Sequence, residues 1–167
     1  MKILMATSEM APFARCGSLA DTMQELHAAL RAMGHQVSVV LPFYRSAREQ
    51  TAHPVKPTGA RFSVAVGPAT YECTVHETRL PSGVQVFFIA RDEFFDRSGI
   101  YGADGRDYQD NSARFIFLSK CVLELARRLD PSPDVIHGHD WPAGLIPVFA
   151  KNRNFPIPQV FTVHDLG

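Results

Sequence analysis

The chain has 167 residues, the size of one domain, and its 46% hydrophobic content is enough for a substantial core, which excludes a disordered segment. Seventeen basic side chains balance seventeen acidic ones, so no overall field draws the protein to nucleic acid or an anionic membrane, and any partner has to be recognised at a local site. Cys16, Cys73 and Cys121 are odd in number and lack CxxC spacing, which argues against a disulfide framework or a structural zinc site and fits a reducing cytoplasm.

The first element, "KILMAT" (Lys2 to Thr7), is a short apolar run suited to a strand buried on both faces. Ser8 and Glu9 interrupt it before it reaches the length of a signal-peptide core, so the chain is expected to start with structure rather than an address. After a turn-rich loop to Gly17, the residues Leu19, Met23, Leu26, Leu30 and Met33 recur at steps of four and three, predicting an amphipathic helix that stops at Gly34. "QVSVVLP" then reads as a second strand. Strand, helix and strand make a βαβ unit, which forms a right-handed crossover in a parallel sheet.

The middle is β-rich. "RFSVAV", "TYECTVHETRL" and "VQVFFIA" predict strands, the last two joined across "PSG", as an antiparallel insertion or sheet extension. A long loop, "FFDRSGIYGADGRDYQDN", leads to a second helix marked by Phe115, Leu118, Val122, Leu125 and Leu129, with Arg127 and Arg128 in its last turns. "PDVIHGHDW" supplies a strand, "PAGLIPVFAK" a short helix with Pro142 near its start, and "PQVFTVHDLG" a final strand. No window approaches about eighteen uninterrupted apolar residues, so a membrane-spanning helix is excluded. The fold class is therefore α/β: a Rossmann-like, doubly wound, mostly parallel sheet with a β-hairpin insertion. In such sheets ligands sit outside the carboxyl ends of the strands, near the point where strand order reverses. That rule selects the loop after Thr7, "HGHDW", and "HDLG" as candidate sites.

Each has two readings. Ser18 and Asp21 fit a capping box at the start of the first helix. Yet Gly17 lets backbone approach a ligand, free N–H groups of a first turn favour an anion, and Arg15 offers a guanidinium fork to phosphate oxygens. Neither G-x-G-x-x-G nor a Walker lysine is present, which removes an NAD fingerprint and a P-loop. His137 and His139 lie two apart on a strand and so share a face, with Asp140 at the exit; H-x-H can hold a metal with His164 or Asp165, or donate to backbone carbonyls. The spacing completes no metal motif, and no metal is expected. Trp141 suits a packing anchor or a sugar platform. His164 is a polar group at the end of an apolar strand, facing a ligand or solvent.

Taken together, four stretches resemble the N-terminal domain of the bacterial glycogen synthase and plant starch synthase family. They are "KILMATSEMAPFARCGSLADTMQELHAAL", with the family's SE-x-x-P and its lysine, small residue, Gly-Gly-Leu-Ala-Asp run; "FFDRSGIYG" with "DYQDNSARFIFLSK"; "PDVIHGHDWPAGLIP"; and "VFTVHDLG". They stand in family order across nearly the whole chain. The resemblance implies the N-terminal lobe of a GT-B glycosyltransferase over residues 1–167, whose C-terminal, nucleotide-binding lobe is absent from this sequence. Such enzymes transfer glucose from ADP-glucose to the non-reducing end of an α-1,4-glucan with retention, without metal or other cofactor. The isolated lobe is expected to be inactive and cytoplasmic.

By the same resemblance His164 contacts the transferred glucose and Asp140 with Trp141 forms the Asp-Trp pair at the cleft. Arg15 stands at the lysine facing donor phosphate or acceptor, Gly17 and Ser18 at the two glycines, Asp21 at the motif aspartate and Tyr101 near the sugar. The sequence departs from the family at Arg15 for lysine, Ser18 for glycine, Asp165 for asparagine and Pro142 for a frequent histidine. If the Arg15, Ser18 and Asp165 changes abolish donor chemistry, the alternative is a degenerate, non-catalytic glucan-binding module. A metal-dependent hydrolase using His137, His139 and Asp140 is the third reading.

Overall fold

A computed structural model describes residues 1–164. Its elements in chain order are β1 (Lys2–Ala6), α1 (Leu19–Ala32), β2 (Gln36–Pro42), α2 (Arg45–Glu49), β3 (Lys56–Val66), β4 (Ala69–Arg79) and β5 (Gln85–Ala90). There follow α3 (Asp92–Phe95), β6 (Gly102–Ala103), β7 (Arg106–Asp107), α4 (Asn111–Ala126), β8 (Val135–His139), a 3-10 turn (Trp141–Ala143), α5 (Ile146–Asn152) and β9 (Gln159–Thr162).

Seven strands form one sheet in the order β3-β4-β5-β2-β1-β8-β9. The run from β5 to β9 is parallel throughout, whereas β4 pairs antiparallel with β5 across the expected hairpin and β3 antiparallel with β4, so the insertion extends the sheet. Strand order reverses between β1 and β8: the chain first winds outward from β1 to β2 and β5, then returns to β8 on β1's other side and continues to β9. Right-handed crossovers in the two directions put α1 and α5 on opposite faces. α1 packs on β2, while α4 lies against β2, β3 and α5. Leu4, Met5, Val39, Leu41, Phe88, Ile89 and Ile136 are fully enclosed, which is why β1, β2, β5 and β8 read as unbroken apolar runs.

The end of α1 is set by local chemistry. Gly34 takes φ +88°, its N–H donates to the Arg31 carbonyl, and the His35 N–H donates to Leu30, the pair of bonds of a Schellman cap. The apolar stripe therefore ends at Leu30. Met33, expected on it, is the C-cap residue beyond the last helical turn and is 72% exposed. α4 begins earlier than its stripe and ends at Ala126, leaving Arg127 and Arg128 just beyond it. β9 is an edge strand, and its Val160 and Phe161 are half exposed rather than core.

Candidate functional site at the carboxyl ends of the strands

The loop leaving β1 is organised by a buried carboxylate. Glu9 is 3% exposed; its Oε2 accepts the N–H groups of Cys16 (2.6 Å) and Gly17 (2.8 Å), and its Oε1 accepts the Tyr101 hydroxyl (2.7 Å). The Ser8 hydroxyl is 2.7 Å from the same phenol oxygen and donates to it. Burial, reinforced by Glu9, pushes the Tyr101 phenol far above its ordinary value, so it stays neutral and a donor. Burial followed by Glu9's charge likewise raises the Cys16 thiol.

This arrangement changes the expectation at the start of α1. The capping box does not form: Ser18 is the N-cap residue but caps no N–H with its side chain, and Asp21 pairs instead with Arg15 across the exposed loop. Nor is the Gly17 N–H free, since Glu9 already holds it. Among the described residues the N–H groups of Ser18 and Leu19 have no protein acceptor. An anion arriving here meets those two groups and the Arg15 guanidinium.

Two neighbouring stretches, one on each side of the β6–β7 hairpin, lock Tyr101 in place. Arg97 grips both carboxylate oxygens of Asp110 (2.8 and 2.6 Å), and Asn111 donates to the Tyr101 carbonyl (2.8 Å) while accepting from Arg114 (2.6 Å). Arg114, fully enclosed, also donates to the Phe94 carbonyl, and its guanidinium stacks within 5.0 to 5.5 Å of the ring centres of Tyr108, Phe115 and Phe95. Glycine is required beside Tyr101: a Cβ on Gly102 would overlap the Arg106 carbonyl oxygen across the β6–β7 hairpin. Gly102→Ala is therefore expected to destabilise the fold by about 2–3 kcal/mol, read by thermal unfolding. An unchanged transition would contradict the tight hairpin. A cleft of about 480 Å³ opens beside Tyr101, with Arg15, Tyr44, Arg97 and Arg106 among its walls.

At the end of β8 the chain turns sharply. Asp140 adopts φ +57°, ψ 177°, a conformation almost confined to glycine and costing about 1–3 kcal/mol. Three bonds hold it there: its N–H donates to the Thr162 carbonyl (2.9 Å), its carbonyl accepts from Ala143 (2.9 Å), and its carboxylate accepts the His164 N–H (2.6 Å). Strain and carboxylate thus fasten β8 to the end of β9. Trp141, 58% exposed, places its indole 5.7 Å from the Tyr101 ring and edge-on to Phe115 at 4.9 Å. It is anchored by packing yet leaves half its surface open.

His137 and His139 share a face, their ring centres 4.0 Å apart. One nitrogen of each ring is engaged: His137 Nε2 lies 2.7 Å from the Thr162 hydroxyl, and His139 Nδ1 lies 3.0 Å from His164 Nε2. Among the described residues no group of three or more His, Cys, Asp or Glu is arranged to hold a metal ion. Desolvation, together with the neighbouring imidazoles, pulls His139 down to about 3, so it is neutral. Its Nε2 is buried without a partner. A buried N–H there would cost more than a bare lone pair, so the proton sits on Nδ1 and is donated to His164. The exposed His164 ring then carries its own proton on Nδ1.

The candidate residues accordingly fall into one connected strip. Gly17 and Cys16 bond to Glu9, Glu9 to Tyr101, Tyr101 meets Trp141, and Asp140 holds His164, while Arg15 and Tyr101 wall the same cleft. The register of Ala6 with Gly138 and of Gly138 with Phe161 aligns the three strand ends at one edge, at the switch point. Asp165 lies outside the described residues. Sequence reasoning gave Glu9 no role; its signals were its place in the SE-x-x-P stretch and an acidic residue soon after a buried strand.

Comparison with known proteins agrees with this architecture. The family model described as the starch synthase catalytic domain matches residues 2–167. Glycogen synthase 2 of Geobacter sulfurreducens is 41% identical over 173 residues, covering 100% of this chain and 35% of the relative. Glycogen synthase of Treponema denticola is 40% identical over 175 residues, again covering 100% of this chain and 35% of the relative. The catalytic domain of starch synthase IV from Arabidopsis thaliana, solved with ADP and acarbose, superposes with a TM-score of 0.81 at 27% identity, over 98% of this chain and 34% of that one. The chain thus spans about a third of the length of the relatives it matches. In sequence and in fold, it belongs to the starch synthase catalytic-domain family.

Proposed function

We propose that the chain is the N-terminal, acceptor-side lobe of a cytoplasmic retaining glycosyltransferase that moves glucose from ADP-glucose to the non-reducing end of an α-1,4-glucan, with a second lobe completing the nucleotide site. The observation that carries this reading is the strained Asp140, whose carboxylate fixes His164 at the switch-point edge of the sheet. Strain of that kind persists where a site over-determines it. The Arabidopsis starch synthase, solved with ADP and acarbose, supports a nucleotide and a glucan as the ligand classes.

In this reading His164 directs Nδ1–H to a hydroxyl of the transferred glucose, and Asp140 holds it there while offering negative charge to an oxocarbenium-like centre. Arg15 and the free N–H groups of Ser18 and Leu19 face the charge that develops on the leaving diphosphate. For Arg15 this requires a shift from its exposed pairing with Asp21, which is worth little in water. Tyr101 and Trp141 offer ring faces and a phenol to the glucan.

The test is glucose incorporation from ADP-glucose into maltoheptaose by the protein extended to the length of its relatives. His164→Ala and Asp140→Ala are expected to lower kcat by about 10²–10³-fold. No turnover of ADP-glucose by the wild type would end the reading, and near-wild-type variants would remove these two residues from the site. The Glu9 hold on the Gly17 N–H favours one competing reading, a glucan-binding module without donor chemistry. Calorimetry with ADP-glucose and maltoheptaose separates them, because the module binds only the glucan.

A further inference from the structure

A second cleft, of about 270 Å³, lies at the opposite pole of the sheet, where β1, β2 and β5 begin. Lys2, Arg31 and Arg79 line it against a single carboxylate, Asp130. The two arginines converge on one residue. Arg79 donates to the Gly83 carbonyl (3.1 Å), while the Arg31 guanidinium covers the Gly83 Cα so closely that an added Cβ would stand 3.2 Å from its Nη2. Among the described residues neither arginine makes an ion pair.

Two nearby acids are engaged elsewhere, and Asp130 forms no ion pair with either arginine. Asp134 faces Lys2, with 3.9 Å between charged atoms, and Glu77 is shared between Lys56 (3.5 Å) and the Gln85 amide (2.6 Å). Two guanidiniums gathered at a glycine, neither paired with a carboxylate among the described residues, form a fork-lined seat for a tetrahedral dianion. Beyond them Phe87 and Leu129 give the cleft an apolar wall, and the side-chain amide of Gln36 and the remaining oxygen of Gln85 supply hydrogen-bonding groups. The volume stands just below the usual range for ligand pockets, which suits a compact molecule rather than a nucleotide.

We propose that this cleft binds a small phosphate monoester with a hydroxylated body, its phosphate between Arg31 and Arg79 and its hydroxyls toward Gln36 and Gln85. The site is separate from the strand-end strip, and neither the family nor the glucosyl-transfer reading requires it. Titration calorimetry on the full chain with ribose 5-phosphate, inorganic phosphate and ribose tests it. The ester is expected to bind with Kd below about 1 mM, Arg31→Gln and Arg79→Gln each to weaken it about tenfold, and Lys151→Gln to leave it unchanged. Both arginines are solvent-accessible, so circular dichroism should show the variants folded. Absence of ester binding overturns the proposal, as does equal affinity in the arginine variants. Inorganic phosphate binding as tightly as the ester would overturn the assigned ligand class.

Discussion

Glu9→Ala should lower the unfolding free energy by about 3–5 kcal/mol, and at this chain length the melting temperature by roughly 10 °C. The reasoning is an accounting of donors. One carboxylate receives three hydrogen bonds, two from the backbone of the loop before α1 and one from a phenol set 92 positions along the chain. Removing it takes away the acceptor of the Tyr101 hydroxyl, which is left with Ser8 alone, and frees the Cys16 and Gly17 amides, so their hydrogen exchange should rise with the loss of stability. Glu9→Gln keeps the shape but presents N–H on one side, which suits only part of the donor set, so a loss of about 1–2 kcal/mol is expected. Unchanged melting and unchanged protection at Cys16 and Gly17 would show that the carboxylate is not the tie between the loop and Tyr101.

The second large effect is in acid. His139 holds a folded value of about 3, against 6.5 when exposed, so the unfolded chain binds a proton that the native protein refuses between those two values. Its contribution is at full strength above about pH 6.5, falls as pH drops toward 3, and levels off below that. Across the window the loss comes to about 4–5 kcal/mol, a large share of the stability of an ordinary domain. His137, lowered chiefly by desolvation and then by His164, shifts in the same direction and adds to it. Denaturant unfolding from pH 7.5 to 3.5 should show this slope. His139→Gln should flatten it by up to about 1.4 kcal/mol per pH unit, at a cost near 1 kcal/mol at pH 7.5 for the lost bond to His164. A variant whose pH profile follows the wild type would mean that His139 is not held neutral.

The sheet was legible because its central strands are enclosed on both faces. Segments such as "KILMAT" and "QVSVVLP" are then apolar without alternation, and the amphipathic α1 lies between them at the spacing a crossover needs. The switch-point rule led from there to Asp140 and His164 without any contact being visible. What could not be read was long-range pairing. "SLAD" has the letters of a capping box, but Asp21 found Arg15 and the loop's N–H groups found Glu9, a choice made by tertiary proximity. The short helices α2 and α3 and the β6–β7 hairpin are too brief for periodicity to register. The "DRSGIYG" and "DYQDNSARF" stretches stood out only through resemblance. Their physical sense is the interlock of Arg97 with Asp110 and of Asn111 with the Tyr101 carbonyl, which joins them around one phenol.

The central claim concerns where a glucose ring rests, and a crystal structure of the protein at the length of its relatives, soaked with ADP-glucose and maltoheptaose, would locate it. The account predicts glucose hydroxyls within hydrogen-bond distance of the His164 ring and Asp140, with the diphosphate toward Arg15 and Ser18. Sugar density away from the carboxyl ends of β1 and β8, with that strip empty, would contradict it.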